Sequence, residues 1–283
     1  MKQLLATVLI GILTITAYAQ ELSPKQNSEG KFGFVDKNGK EVIPFKYEKT
    51  GYSFHEGLIT VKLGGKFGFI NEKGIVVIPF KYDYGGYFQE GFTQVELGGK
   101  AGYIDKTGKE ITAIMYDVAF DFYEGLAKVR INERYGFIDK TGREVTALKY
   151  EDGNNFKDGF ASVKLNGKWG FIDKTGKEIS KFKYSYAKDF SEGIAPVELN
   201  GKFYGAIDQN GNEIIPFKYR FISDFNGGLA KAGRDGREGF LDKKGVEIIP
   251  IKYDAVGEFK NGAALFRLNG RWGSMDKTGK EIQ

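Results

Sequence analysis

The chain has 283 residues, 41% hydrophobic and 15% aromatic, with 40 glycines, no cysteine and a single histidine. Without cysteine, a disulfide scaffold, a zinc–thiolate site and a thiol nucleophile are all excluded. The formal net charge of +5 is spread over interspersed charges of both signs with no basic cluster, so nucleic acid is a poor partner.

The first segment reads as a targeting signal. Lys2 is followed by the apolar run Leu4 to Ile15 and the small-x-small sequence Ala17-Tyr18-Ala19. This predicts a signal peptide over 1–19, cut before Gln20. The apolar run is shorter than the roughly 20 residues a membrane span needs. No cysteine stands near the cut to carry a lipid. The expectation is an exported protein, periplasmic or extracellular, with no stable membrane insertion after cleavage. Residues 20–29 are expected to form an N-terminal linker.

From Gly30 onward the chain repeats itself every 34 or 35 residues. The marker is an aromatic-glycine pair: Phe32-Gly33, Phe67-Gly68, Tyr135-Gly136, Trp169-Gly170, Tyr204-Gly205 and Trp272-Gly273. Ala101-Gly102 and Glu238-Gly239 fill the other two slots. Residues 30–283 are therefore seven full repeats and a partial eighth.

Within one unit, Lys168 to Asp173 alternates with period two and predicts a strand. A glycine inside a strand weakens it. Its recurrence predicts a close approach by a neighbouring backbone or ring. Asp173-Lys174-Thr175-Gly176, like its counterparts at Asp36, Asp105, Asp139 and Asp276, predicts a hairpin turn capped by the aspartate. One acid per turn is too few for a calcium loop. A second strand is expected over Lys177 to Tyr184. Pro44, Pro79, Pro216 and Pro250 share one of its slots, which must face a sheet edge or end the strand. Tyrosine closes this segment in all seven copies, at Tyr47, Tyr82, Tyr116, Tyr150, Tyr184, Tyr219 and Tyr253.

A short connector leads to a second constant slot, Phe54, Phe88, Phe122, Phe156, Phe190, Phe225 and Phe259. An acid-glycine pair such as Glu90-Gly91 follows. A third strand comes next, with Ala161, Val163 and Leu165 expected on a buried face and Ser162 and Lys164 on a wet one. Asn166-Gly167 and its counterparts favour a two-residue primed turn into the next repeat.

The unit is thus a three-stranded antiparallel meander, too small to bury its own aromatics. Stacked neighbours must supply the core. The predicted fold is all-β, an open, curved, solenoid-like array capped by the partial eighth copy. A closed β-propeller-like ring is the alternative.

Gly167-Lys168-Trp169-Gly170-Phe171-Ile172-Asp173, with Phe190-Ser191-Glu192-Gly193 downstream, resembles the WG (or KWG) repeat of bacterial proteins. The resemblance spans Gly30 to Ile282. It implies a bacterial repeat protein, often exported and without an assigned catalytic role. A fainter likeness is to hairpin-built aromatic repeats that bind cell walls. The chain departs from the motif in most copies: only Trp169 and Trp272 are tryptophans, and Ala101 and Glu238 lose the ring. Such substitutions suit a core slot better than a ligand platform.

No catalytic, cofactor-binding or metal-ligating residue is assigned, and no cofactor is expected. His55 occupies a slot that varies between copies and reads as a solvent-facing residue. No serine-histidine-aspartate or zinc arrangement can be assembled from the motifs. The acids recur with the repeat, whereas a carboxylate pair for glycoside chemistry should break it. The expected function is a non-catalytic binding or scaffolding surface for a protein or cell-envelope polymer. The alternative is a cell-wall or polysaccharide module using exposed aromatics. In either case the binding positions, not identified individually, should be those that differ between copies.

Overall fold

The computed structural model describes residues 21–282, and the predicted signal segment at 1–19 lies outside them. The described chain is all-β, with eight small antiparallel sheets following one another in sequence. The second sheet shows the plan. Lys49–Thr50, Leu58–Leu63, Lys66–Asn71 and Val76–Tyr82 pair in that order, each with the next.

The sheets straddle the sequence repeats. The third strand of one repeat, Leu58–Leu63, pairs with the first strand of the next, Lys66–Asn71, through the turn at Gly64-Gly65. Every repeat therefore contributes to two sheets, which ties neighbours together by chain and by ladder. The connector expected to be irregular holds a strand in each copy, two residues long in six of them, as at Tyr186–Ala187 and Ala255–Val256, and six in the third, Val118–Tyr123. The sheets consequently have three or four strands.

The residues read as a linker also join the fold. Ser23–Gln26 pairs with Phe32–Val35 as the edge strand of the first sheet. Its polar sequence hid the pattern, and the Asn27 side chain organises the turn by accepting from the amides of Glu29 and Lys31.

Lys177 to Tyr184 is not the strand expected. Only isolated bridges at Ile172–Glu178 and Trp169–Tyr184 remain. In this copy the Phe171 amide donates to the Ser180 hydroxyl at 3.0 Å. Thr112 accepts the Tyr103 amide in the same way in the third sheet, which also lacks its outer strand. The strand forms where the slot holds Ile43, Ile78, Ile215 or Ile249, and also where Thr146 accepts the Phe137 amide at 3.1 Å, so the hydroxyl contact alone does not remove it.

The core is a series of interfaces. Seven clusters of buried residues join the eight sheets, each drawn from consecutive sheets. Phe34, Ile43 and Tyr47 of the first meet Ile59, Val61 and Ile70 of the second, and so on to the eighth. The constant tyrosine is buried in all seven copies and the constant phenylalanine in five, with Phe54 and Phe259 half-buried. The name-giving aromatics Phe32, Phe67, Tyr135, Trp169 and Tyr204 pack half-buried against these clusters. Ser162 is buried rather than wet, accepting from the Asn154 amide nitrogen at 2.9 Å.

The stack is open, and its end faces are trimmed. Ser23 and Lys25 stand in the register positions of Ile59 and Val61. At the other end Ser274 takes the place of Phe34, Phe69 and Phe137, and Ala263 that of Leu58 and Leu126, while Leu265 and Trp272 stay exposed. The N-terminal face is polar, as a capping unit of a repeat array requires.

Two glycine positions show why the aromatic-glycine pair persists. A β-carbon on Gly205 would lie 2.5 Å from the Ile215 carbonyl oxygen, and one on Gly68 2.6 Å from that of Ile78. The outer strand bulges there: Tyr204 pairs with Tyr219 while Ala206 pairs with Ile215. Pro216 rides on this bulge at the sheet edge, where no ladder donor is needed.

Candidate functional site

One departure from the repeat opens a concave place between the second and third sheets. From Tyr47 to Phe54 the connector is one residue longer than its six counterparts. The extra residue throws Tyr52 outward, 98% exposed. Facing it are Tyr84 and Tyr87, 43% and 42% exposed. With His55, Phe67 and Thr60 they line a cavity of about 370 Å³, within the roughly 300–1,000 Å³ range of small-molecule clefts.

Backbone geometry builds the wall. The Gly51 amide donates to the Thr60 carbonyl at 3.0 Å and that of Gly86 to Gln94 at 3.0 Å, anchoring both connectors to their sheets. Gly85 and Gly86 allow the close fit. A β-carbon on the first would meet the Phe69 ring at 2.9 Å, and one on the second the Gln94 amide at 2.7 Å.

The rings are held in place. His55 lies against Tyr87 with centroids 4.8 Å apart, and Phe67 meets Tyr84 edge-on at 6.2 Å. The Tyr87 hydroxyl donates to Asp121 Oδ2 at 2.7 Å. That bond, reinforced by burial, pushes the Tyr87 hydroxyl well above the ordinary phenol range. Burial first, then the charges of Asp121 and Glu96, raises Tyr84 as well. Both phenols stay neutral at physiological pH. The hydroxyls of Thr50 and Thr60, both residues of the wall, have no hydrogen-bond partner.

The wall is aromatic and hydroxyl-bearing. Its only charged side chain is Lys49, and no carboxylate lines it. Ser53 Oγ and His55 Nε2 are 3.1 Å apart. Both are exposed, and no carboxylate orients the imidazole, so the pair lacks the third member a nucleophile–base device needs. Among the described residues no group of three or more histidine, aspartate or glutamate side chains could hold a metal.

His55 is thus solvent-exposed, as its variable slot suggests, yet part of a concave wall. Sequence reasoning did not single out Tyr52, Tyr84 and Tyr87. The available signal was the longer first spacing, 35 residues from Gly33 to Gly68, where most are 34.

The acid-glycine pairs have a structural role instead. Glu56 and Gly57, with φ of 49° and 84°, form a primed two-residue turn closed by His55 and Leu58. The Glu56 carboxylate reaches the Gly91 amide of the next copy's turn and Lys106 beyond it. Glu90, Glu124 and Glu192 repeat the contact with Lys140, Lys174 and Lys243.

A family model described as "WG containing repeat" matches the chain seven times, at 32–67, 67–100, 102–135, 135–169, 169–203, 204–237 and 239–272. No curated protein matches. Among solved structures, a eukaryotic initiation factor is similar at 12% identity and TM-score 0.48, covering 93% of this chain and 84% of that one. BamB from Moraxella catarrhalis is similar at 10% identity and TM-score 0.40, covering 90% and 95%. The computationally designed Ika8 protein is similar at 13% identity and TM-score 0.39, covering 93% and 89%.

Proposed function

Since the chain belongs to the WG containing repeat family, and its repeats form a constant frame with a changing rim, we propose that it is a non-catalytic binding scaffold. It is exported and engages a cell-envelope partner. One observation carries the reading. The tyrosine slot is buried in every copy. Two residues further on, at the sheet edge, the chain places Lys49, Tyr84, Val118, Asp152, Tyr186, Phe221 and Ala255 in successive copies.

A frame held constant by packing, with a rim free to differ, is how solenoids present extended binding surfaces. Weak contacts from several copies add when one partner spans them. The export part of the proposal rests on the sequence of residues 1–19. The non-catalytic part is supported by the absence of a carboxylate from the cavity wall.

The test is retention of the purified chain on separated envelope fractions, one protein and one glycan. Retention that falls when Tyr186 and Phe221 are replaced together by alanine is the expected result. Retention by neither fraction would overturn the proposal, as would detection of the chain only in the cytoplasm of its native cell.

A further inference from the structure

We propose that the cavity between the second and third sheets is a saccharide site, holding one neutral or carboxylate-bearing pyranose ring against Tyr52, Tyr84 and Tyr87. The inference names the partner class for the scaffold reading above and rests on it for its setting.

Three features point to a sugar. The first is exposed aromatic surface in a concave place. Tyrosine rings offer an apolar face with a polar tip, which suits a ligand that is apolar on its ring faces and wet on its edges. Elsewhere the chain buries its repeated tyrosines; here three are exposed around one cavity. Tyr52 stands in the one connector that is a residue longer than the others, and Gly85 and Gly86 opposite it let the facing wall pack closely.

The second feature is charge. An aromatic enclosure also suits a quaternary ammonium group. Here, however, the wall carries Lys49 and no acid, and Lys62 Nζ already lies 5.5 Å from the Phe67 ring centroid. Asp121 and Glu96 act on the rings from outside the lining, and Asp121 is already bonded to the Tyr87 hydroxyl, so the lining itself suits a neutral or acidic sugar better than a cation.

The third feature is a rigid wall. Tyr87 adds rigidity, because its hydroxyl is already committed to Asp121 and its ring is backed by His55.

The experiment is titration calorimetry of the purified chain with soluble chitotetraose, cellotetraose and tetragalacturonate. At least one should bind. Tyr52→Ala and Tyr87→Ala should each weaken it by about tenfold or more. Trp272→Ala removes an exposed ring at the far end of the stack, 67% exposed, and should leave affinity unchanged. Tyr52 packs on nothing that holds the fold, so its variant reports on binding alone. The proposal is overturned if none of the three binds at about 10 mM, if the two tyrosine variants bind as the parent does, or if Trp272→Ala weakens binding equally. It is also overturned if an aliphatic or aromatic tetrapeptide displaces nothing yet binds with the same tyrosine dependence. Failure here with continued retention on the protein fraction would leave the scaffold reading standing.

Discussion

Glu124 and Lys174, fifty residues apart in sequence, form an ion pair of 2.9 Å across the boundary of the fourth and fifth sheets. The same carboxylate accepts the Gly159 amide at 3.0 Å. Glu124 has φ of 52°, a left-handed conformation that costs a non-glycine residue energy. The clasp offsets that cost by aiming the side chain at the neighbouring turn. Asparagine tolerates the conformation but is too short to reach. Glu124→Asn is expected to destabilise by about 1 kcal/mol and to speed hydrogen exchange at the Gly159 amide. Exchange rates at that amide, measured by NMR, check it.

The chain contains a place where the clasp is missing. Asp158 has the same φ of 52°, and Gln209 stands in the lysine slot opposite. Restoring both partners with Asp158→Glu and Gln209→Lys should raise stability by about 0.5–1 kcal/mol, while either change alone should do less. A double-variant cycle in urea denaturation decides between coupled and independent effects.

Acid should loosen the array. Burial pushes Glu90 and Glu124 upward, but the lysine partners Lys140 and Lys174 and the amides of Gly125 and Gly159 outweigh it and hold both below the usual carboxylate range. Asp105 and Asp139 are held low chiefly by the hydroxyls of Thr107 and Thr141 in their own turns. A carboxyl with a depressed folded-state pKa is protonated first in the unfolded chain. Its contribution is complete above the unfolded value of about 4 and is lost as pH falls through the lower folded value. The urea midpoint should therefore be level from about pH 7 to 5 and drop between about pH 4 and 2.

Gly205→Ala and Gly170→Ala should differ. At Gly205 the new methyl would strike the Ile215 carbonyl oxygen, part of the backbone, at 2.5 Å. At Gly170 the nearest atoms belong to the Phe182 ring, which can turn away. The first is expected to cost about 3 kcal/mol and the second about 1 kcal/mol. Thermal unfolding of the two variants side by side makes the comparison.

The constant tyrosine owes its place to its ring. The Tyr47 hydroxyl is buried without a partner, and burial raises its pKa. Tyr47→Phe should leave stability within about 0.5 kcal/mol, because no hydrogen bond is lost. Tyr47→Ala should cost about 3–5 kcal/mol through the cavity left behind. A loss above about 1 kcal/mol for the phenylalanine variant would show that the hydroxyl has a partner after all.

Much of this architecture was legible in the residues. The aspartate-capped turns appear as read: Asp173 Oδ1 accepts the amides of Thr175 and Lys177, and Gly176 has φ of 81°. The constant Tyr and Phe slots are core, as a stacking ladder demands. Less legible were the connector strands: six are two residues long, below the length at which alternation can be seen, and the longer Val118–Tyr123 is broken by a register shift between Ala119 and Phe122. The loss of a strand at Lys177 to Tyr184 was hidden too. Thr146, in the slot of Ser180, accepts an amide in the same way and its strand forms, so the residue in that slot does not show which copy loses the strand.

The sequence by itself determined the period, the all-β class, the turns and the slots that must be buried, because each depends on neighbours a few residues away or on the recurrence itself. It could not determine how one sheet packs on the next, or that Glu124 would find Lys174, since those depend on how one copy is set against the next. The cavity belongs to the same category. One additional residue near Tyr52 is visible in the spacing, but only the packing of the second sheet on the third brings Tyr52, Tyr84 and Tyr87 around one space.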